Sequence, residues 1–334
     1  MPSLLPVEVV ERVIDFSHDD RAVLQAWTTT SSIFRPAAMS HLYCTIRLRA
    51  LPYGILSSID EWEFNFPSAL LFARSVILMG SVYSMRYACN YVDFDILHVV
   101  LEHLPRCVEL CVGNTTWRSA VHLRDPPVLM QRIRRLTLFD VVVACPQADF
   151  VELCAAATTV NSLLIINPFW TRLIPSALNV RHSTSKCRLT SLYFSTLSDD
   201  NFDRVSSLIL ASAESLEYIH LVVDVMEIDE EQAPVTCTGI TTRIDYSGLA
   251  DGDTDLELRI FGAIPWDLLD SNLCKGVALK NMTVTVVTHR RVSVATWTEF
   301  FNDNTPQFNA KGGRVILTVS SNGPEYPAVG MIGV

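Results

Sequence analysis

The amino-acid sequence predicts an α/β protein in which an N-terminal three-helix module is followed by an irregular solenoid of parallel strands and helices. Two observations carry this prediction. Apolar side chains recur at helical spacing within the first part of the chain, up to residue 50. Beyond residue 70, a short apolar pattern recurs about every 30 residues, which is the signature of a repeat architecture.

The N-terminal module is predicted to contain three short helices. Leu5 and Pro6 open the first helix, since proline is tolerated in a first turn. Asp19 or Asp20 begins the second helix, because a carboxylate there accepts first-turn N–H groups, and Pro36 marks the third helix. Three short helices have too little interior to bury all of their apolar side chains, so we expect some of those side chains to face another protein.

An ordered series of short motifs runs through residues 4–48: Leu5-Pro6-x-Glu8, Val13-Ile14-Asp15, Asp19-Asp20-Arg21, Leu24, His41-Leu42-Tyr43 and Thr45-Ile46-Arg47-Leu48. This series resembles an F-box, in the form common in mushroom-forming fungi. The resemblance implies that six residues lie at or near the contact with a Skp-type adaptor, which links to a cullin and a RING subunit: Leu5, Pro6, Val10, Ile14, Leu24 and Phe34. The same side chains would also suit the internal core of the module, because burial inside a module and burial at an interface select the same residues.

Some positions depart from the usual F-box pattern. Ser17 replaces a leucine, and the Thr29-Thr30-Ser31 run and Phe34 replace a more apolar segment that ends in tryptophan. Each replacement removes apolar area, and at about 25 cal/mol per Å² such losses amount to a few kcal/mol of weakened docking. These departures leave open whether the module binds an adaptor. A further alternative is that the helices form an N-terminal cap on the solenoid.

The second domain is predicted from a repeated pattern of the form apolar-x-x-apolar-x-apolar. The pattern occurs as Ala73/Val76/Leu78, Cys107/Leu110/Val112, Ile133/Leu136/Leu138, Val160/Leu163/Ile165, Leu189/Leu192/Phe194 and Leu216/Ile219/Leu221. The first members are separated by steps of 34, 26, 27, 29 and 27 residues. Each set predicts a short strand whose alternate side chains enter a shared core, with the next strand parallel to it.

Helical segments fit the gaps between these strands, after Asp93, near Phe150 and after Asp200. Alternation of strand and helix at this period is typical of a leucine-rich repeat, here without the asparagine ladder of regular repeats. In that architecture the residues between the core positions face a concave side, which would expose six candidate substrate-binding residues: Phe139, Leu164, Ile166, Tyr193, Tyr218 and His220. A curved sheet covered by a loop would give the same pattern, so burial of these residues is an open alternative.

The domain organisation follows from these patterns. We expect an adaptor-binding module at residues 1–50, a leucine-rich-repeat-like substrate-binding domain at 51–321 and a flexible tail at 322–334. Two acidic clusters mark residues 224–255 as a surface excursion. Alternating segments that begin at Leu256, Met282 and Val315 continue the strands beyond it.

Composition argues against a nucleic-acid or membrane partner. The formal net charge is -10, and Arg132, Arg134 and Arg135 form too isolated a basic cluster to bind a phosphate backbone. No apolar run reaches the 18 or so residues that cross a bilayer, and the N-terminus has no signal-type segment. The nine cysteines are odd in number and scattered, which predicts reduced thiols in the cytoplasm or nucleus.

No catalytic residue, metal site or cofactor is predicted. Four soft ligands lie close in sequence, but they straddle a predicted helix and strand instead of pairing on a tight turn: His98, His103, Cys107 and Cys111. The segment beginning at Asp251 starts like a calcium loop, but Leu256 and Gly262 stand where such a loop requires Gly and Glu.

The sequence therefore predicts a non-catalytic substrate receptor of a Skp-cullin-F-box type ubiquitin ligase, which holds an unknown target protein near the ubiquitin-transfer machinery. The alternative is a leucine-rich-repeat-like interaction scaffold that does not assemble into a ligase. A hydrolase or metal enzyme would need a spatial cluster of Cys, His and acidic residues that the sequence does not reveal.

Overall fold

In the computed structural model the long strands of each unit run parallel, and each pairs with the next long strand of that unit along the chain. The short strands pair among themselves. The structure describes residues 6–49, 56–80, 91–92, 94–118, 131–144, 160–166, 169–170, 188–195, 199–224, 266–287 and 294–320. The chain divides into two units, Met1–Val142 and Val143–Val334. Over the described ranges there are ten helices and nine long strands, each of five to seven residues. Four of these strands lie in the first unit and five in the second. The α/β class and the parallel strands with intervening helices are thus confirmed.

The first unit begins with three helices and continues with strands and helices in alternation. Its elements are α1 (Val7–Asp15), α2 (Arg21–Thr30), α3 (Arg35–Leu42), β1 (Thr45–Arg49), α4 (Leu56–Asn65), α5 (Pro67–Leu70), β2 (Ser75–Met79), β3 (Tyr91–Val92), α6 (Phe94–His103), β4 (Glu109–Gly113), β5 (Thr116–Arg118) and β6 (Arg135–Phe139). Strand β7 (Val142–Ala144) crosses the unit boundary.

The second unit repeats the alternation. Its elements are β8 (Ser162–Ile166), β9 (Phe169–Trp170), β10 (Ser191–Ser195), α7 (Asp199–Ala211), β11 (Tyr218–Asp224), α8 (Trp266–Leu273), β12 (Asn281–Val287), α9 (Val294–Asn304), α10 (Pro306–Ala310) and β13 (Arg314–Ser320). The helices predicted after Asp93 and Asp200 correspond to α6 and α7. The helix predicted near Phe150, the strand at Leu256, most of the acidic excursion and the 322–334 tail lie outside the described residues.

The three N-terminal helices close around a small core. Its buried members are Val10, Ile14, Leu24 and Ala38, against which Trp27, Phe34, Ala37 and Leu42 pack. Asp20, and not Asp19, begins α2, because its carboxylate accepts the N–H groups of Ala22 and Val23 at 3.0 Å each. Pro36 stands in the first turn of α3, as the sequence predicted.

The repeated apolar pattern coincides with the strand register. In the first unit Val76 pairs with Leu110, and Leu110 pairs with Leu136. In the second unit, an equivalent set of paired residues extends across five strands: Leu163, Leu192, Ile219, Met282 and Val315. Every position of the six predicted sets is at most 2% exposed, so the periodicity identified the core side of each strand.

The turns that follow the strands stack on one another. The Gly80 N–H donates to the Gly113 carbonyl at 2.8 Å, and the Asn114 N–H donates to the Phe139 carbonyl at 3.0 Å. Asn114 and Asp140 occupy equivalent turn positions with φ of 48° and 47°, which Asn and Asp tolerate better than most residues. A Cβ atom at Gly80 would lie 1.8 Å from the Asn114 carbonyl oxygen, so this close approach requires glycine.

Candidate functional site

An apolar stripe runs along the outside of α1. Val9, Val13 and Phe16 are 41%, 43% and 90% exposed. Their spacing of four and three residues places them along one side of the helix, running from its first turn to Phe16, which follows its last residue. Helices that bind in a groove of a partner protein present apolar side chains at this spacing. We refer to Val9, Val13 and Phe16 as the α1 stripe.

The α1 stripe is exposed because α1 carries more apolar side chains than the module can bury. Val10 and Ile14 occupy the inner side of the helix and are buried in the core, whereas Val9 and Val13 lie outside it. Val23 and Ile33 of the same module are also exposed, at 37% and 45%. The sequence-based expectation of surplus apolar surface therefore holds in the structure, although on different residues from those predicted.

The six residues predicted to contact an adaptor fall into three groups. Val10, Ile14 and Leu24 lie in the core of the module, so a partner cannot touch them directly while the three helices are packed together. Pro6 is exposed at the start of α1, and Phe34 is half-buried with its ring edge against Trp27 at 4.8 Å between centroids. Leu5 lies outside the described residues. Three of the six residues therefore lie in the buried core of the module, which is the alternative that the sequence left open for them.

A hydrogen bond between helices fixes the side of α1 that faces solvent. Nε2 of His41 lies 2.8 Å from the Asp15 carboxylate, which joins α3 to the end of α1 across 26 residues. Nδ1 of His18 lies 2.7 Å from the Asp15 carbonyl oxygen. These contacts hold the C-terminal end of α1, next to Phe16.

The polar departures from the F-box pattern satisfy the backbone of α2. The hydroxyls of Thr29 and Thr30 both donate to the Ala26 carbonyl, at 2.8 and 2.7 Å. The Ser31 hydroxyl accepts the Ile33 N–H at 3.2 Å, where α2 ends. These side chains therefore end the helix and stabilise the turn after it, since Ser and Thr compete with the helical hydrogen bonds.

The second candidate surface is the side of the second unit's strands opposite the repeat core, and Phe139 holds the corresponding position on a strand of the first unit. Leu164, Ile166 and Tyr193 are buried, so for these three residues the alternative of burial applies and the expectation of exposure does not. Phe139 and His220 are half-buried, and Tyr218 is 60% exposed. The sequence pattern shows which residues point away from the core but not what covers that side of the sheet.

His220 is held firmly within this surface. Its Nε2 lies 2.8 Å from the Thr285 hydroxyl on the neighbouring strand, and its ring meets the Tyr193 ring edge-on at 4.8 Å between centroids. Burial lowers the pKa of His220 below its ordinary value of 6.5. The neutral imidazole is therefore the form that the folded protein favours.

The thiols and imidazoles considered as metal ligands are engaged elsewhere. Burial raises the pKa of Cys107 to about 12 and that of Cys111 to about 11, which leaves both as unreactive thiols at neutral pH. His98 pairs with Glu102 and His103 pairs with Glu63, each at 3.4 Å. Within the described part of the chain, no group of three or more His, Cys, Asp or Glu side chains is placed to hold a metal ion.

Comparison with protein-family models and with curated proteins found no match to this chain. Among the described helices, none combines the length and apolarity needed to span a bilayer.

Proposed function

We propose that this protein is a substrate receptor of a Skp-cullin-F-box type ubiquitin ligase. The α1 stripe would bind a Skp-type adaptor, and the strands that follow would hold the target protein. One observation supports this assignment most strongly: Val9, Val13 and Phe16 form an exposed apolar row on a helix whose inner side already fills the core of its module. An exposed row of this kind marks a protein-interaction site.

The proposed mechanism requires no catalytic group in this chain. The adaptor connects the receptor to a cullin and, through it, to a ubiquitin-charged enzyme. A bound target is then held at a high effective concentration next to that enzyme, which accelerates transfer without any new chemistry. Such a receptor acts in the cytoplasm or the nucleus.

Co-purification of the full chain with a Skp-type adaptor tests the proposal. The unaltered chain should retain the adaptor, and the double variant Val9→Asp/Val13→Asp should retain at least about tenfold less, because two carboxylates would be desolvated at the contact. The matched control is Val277→Asp/Val294→Asp in the second unit, where the two valines are 78% and 53% exposed. This control should bind the adaptor normally.

Each result of this experiment has a defined meaning. Circular dichroism of Val9→Asp/Val13→Asp should match the unaltered chain, since both positions are outside the core. Failure of the unaltered chain to bind the adaptor, or equal binding by the two double variants, would overturn the proposal. If the unaltered chain does not bind the adaptor, the alternative function is an interaction scaffold that does not assemble into a ligase. The polar Thr29-Thr30-Ser31 run favours that alternative.

A further inference from the structure

In the first unit, helices α4 and α6 are acidic, whereas the long strands and the residues before them are basic. Helices α4 and α6 contain no Lys or Arg and carry five carboxylates: Asp60, Glu61, Glu63, Asp95 and Glu102. The four main strands, together with the residue before each, carry five arginines and one carboxylate: Arg47, Arg49, Arg74, Arg134, Arg135 and Glu109. The net charge of -10 therefore conceals a basic region on the strand side of this unit.

The backbone brings several of these arginines to one edge, where the strands begin. The Arg74 carbonyl accepts the Val108 N–H at 2.8 Å, and the Val108 carbonyl accepts the Arg134 N–H at 2.8 Å. Arg74 and Arg134 thus occupy equivalent positions at the start of strands that are two apart in the sheet. Their backbones are about 9.5 Å apart, since neighbouring strands are spaced by about 4.8 Å. Sixty residues of chain separate them, so the sequence does not show this proximity.

Two further arginines extend the same edge. The Arg106 guanidinium lies over the Phe72 ring, 5.8 Å from its centroid. Arg132 donates to the carbonyls of Pro105 and Leu101 at 2.6 and 2.9 Å, which holds its guanidinium against the end of α6 and the residue before Arg106. We call Arg74, Arg106, Arg132, Arg134 and Arg135 the basic edge.

In the described part of the chain, one carboxylate forms an ion pair with the basic edge. Glu109 pairs with Arg135 at 3.4 Å. Among the described residues, no carboxylate lies within ion-pair distance of Arg74, Arg106 or Arg134, and Arg74 and Arg134 are exposed. Like charges held together at a surface cost stability unless a partner of opposite charge offsets them.

We propose that the basic edge binds a short acidic segment of a partner protein. Carboxylates of an extended peptide can reach Arg74 and Arg134 together, since successive side chains on one side of an extended chain lie about 7 Å apart. A nucleic-acid duplex fits less well, because it carries a charge about every 1.7 Å along a length that extends beyond this small edge. The proposal that this edge binds an acidic segment depends only on the positions of the arginines. The identification of that partner as a ligase substrate rests on the proposed function.

Fluorescence anisotropy with a labelled peptide of eight glutamates tests this inference on the full chain without any adaptor. The peptide should bind at low ionic strength and should dissociate as salt is raised, because exposed ion pairs are screened. A labelled neutral Gly-Ser peptide should not bind. Nonspecific attraction cannot account for binding, since the protein and the glutamate peptide are both anionic.

Matched variants locate the site. Arg74→Glu/Arg134→Glu should weaken glutamate-peptide binding at least about tenfold, and Arg74→Lys/Arg134→Lys should retain most of it, because charge is the main requirement. Arg12→Glu/Arg21→Glu makes the same change in charge at exposed positions of α1 and α2 and should leave binding unchanged. Equal loss in both glutamate variants would overturn the inference, as would an eight-nucleotide single-stranded DNA that binds this edge more tightly than the peptide.

The test is separable from that of the proposed function. Val9→Asp/Val13→Asp should bind the glutamate peptide normally, and Arg74→Glu/Arg134→Glu should bind the adaptor normally. Absence of peptide binding in a chain that retains the adaptor would overturn the basic edge alone. Peptide binding in a chain that retains no adaptor would overturn the ligase assignment alone.

Discussion

The Asp270 carboxylate accepts the backbone N–H of Phe308 at 2.8 Å and that of Gln307 at 2.9 Å. Asp270 belongs to α8 and is 1% exposed, whereas the two N–H groups belong to the first turn of α10. Thr305, which precedes α10, does not cap it, because its hydroxyl donates to the Phe301 carbonyl at 2.8 Å. A side chain from a distant helix therefore performs the capping that is normally local.

We expect Asp270→Asn to lower the free energy of unfolding of the full chain by about 1–3 kcal/mol, because the amide can accept only through one oxygen and loses the charge-assisted bond. Urea denaturation followed by circular dichroism measures this change. Asp267→Asn removes an exposed carboxylate from the same helix and serves as the control. Equal effects of the two substitutions would show that the contact of Asp270 with α10 does not contribute to the free energy of unfolding.

The fit of Gly80 against Asn114 makes a second prediction. Gly80→Ala would place its Cβ 1.8 Å from a carbonyl oxygen of the backbone, which cannot move aside without breaking the stacked turns. We expect a loss of more than about 2 kcal/mol in the free energy of unfolding. Gly113→Ala should cost less, since its nearest obstacle is the flexible end of the Met79 side chain at 2.8 Å. Thermal melts measure both losses. A larger decrease in melting temperature for Gly113→Ala than for Gly80→Ala would contradict this account of the turns.

The lowered pKa of His220 predicts acid sensitivity. The unfolded chain binds a proton on this imidazole near pH 6.5, whereas the folded chain resists protonation until a lower pH. The unfolded state therefore binds more protons in that interval, and stability should fall as the pH drops below about 6.5. The urea midpoint should decrease less between pH 7.5 and 5.5 in His220→Gln than in the unaltered chain. Equal decreases in the two proteins would show that His220 does not carry this acid sensitivity.

Leu24 distinguishes the core of the N-terminal module from its binding surface. Leu24 is 2% exposed and packs with Val10 and Ile14, so Leu24→Ala should cost about 2–5 kcal/mol through the cavity that it leaves. Limited proteolysis should then cleave within α1–α3 at a concentration of protease that leaves Val9→Asp/Val13→Asp intact. Resistance of Leu24→Ala to cleavage would mean that the three helices do not depend on this core.

Periodic and local signals predicted a large part of this fold. Val76, Leu110 and Leu136 were assigned to one core row from spacing alone, because alternate residues of a strand must face the same side. Asp20 was one of two candidates for the start of α2, because capping involves only the next few residues. The candidate site was less predictable: the spacing leaves Val10 and Ile14 as either core or contact residues and Tyr193 as either exposed or buried, and all three are buried in the structure.

The sequence by itself determined which side of each strand and helix is apolar, since that depends only on the repeat distance of the element. Tertiary structure alone decided which apolar sides remain uncovered, as on α1, and which charges meet, as with Arg74 and Arg134 at one edge. It also decided that Asp270 caps α10. The physical reason is that coverage and charge proximity arise from contacts between segments far apart in the chain, and their geometry is set only when the strands pack in register.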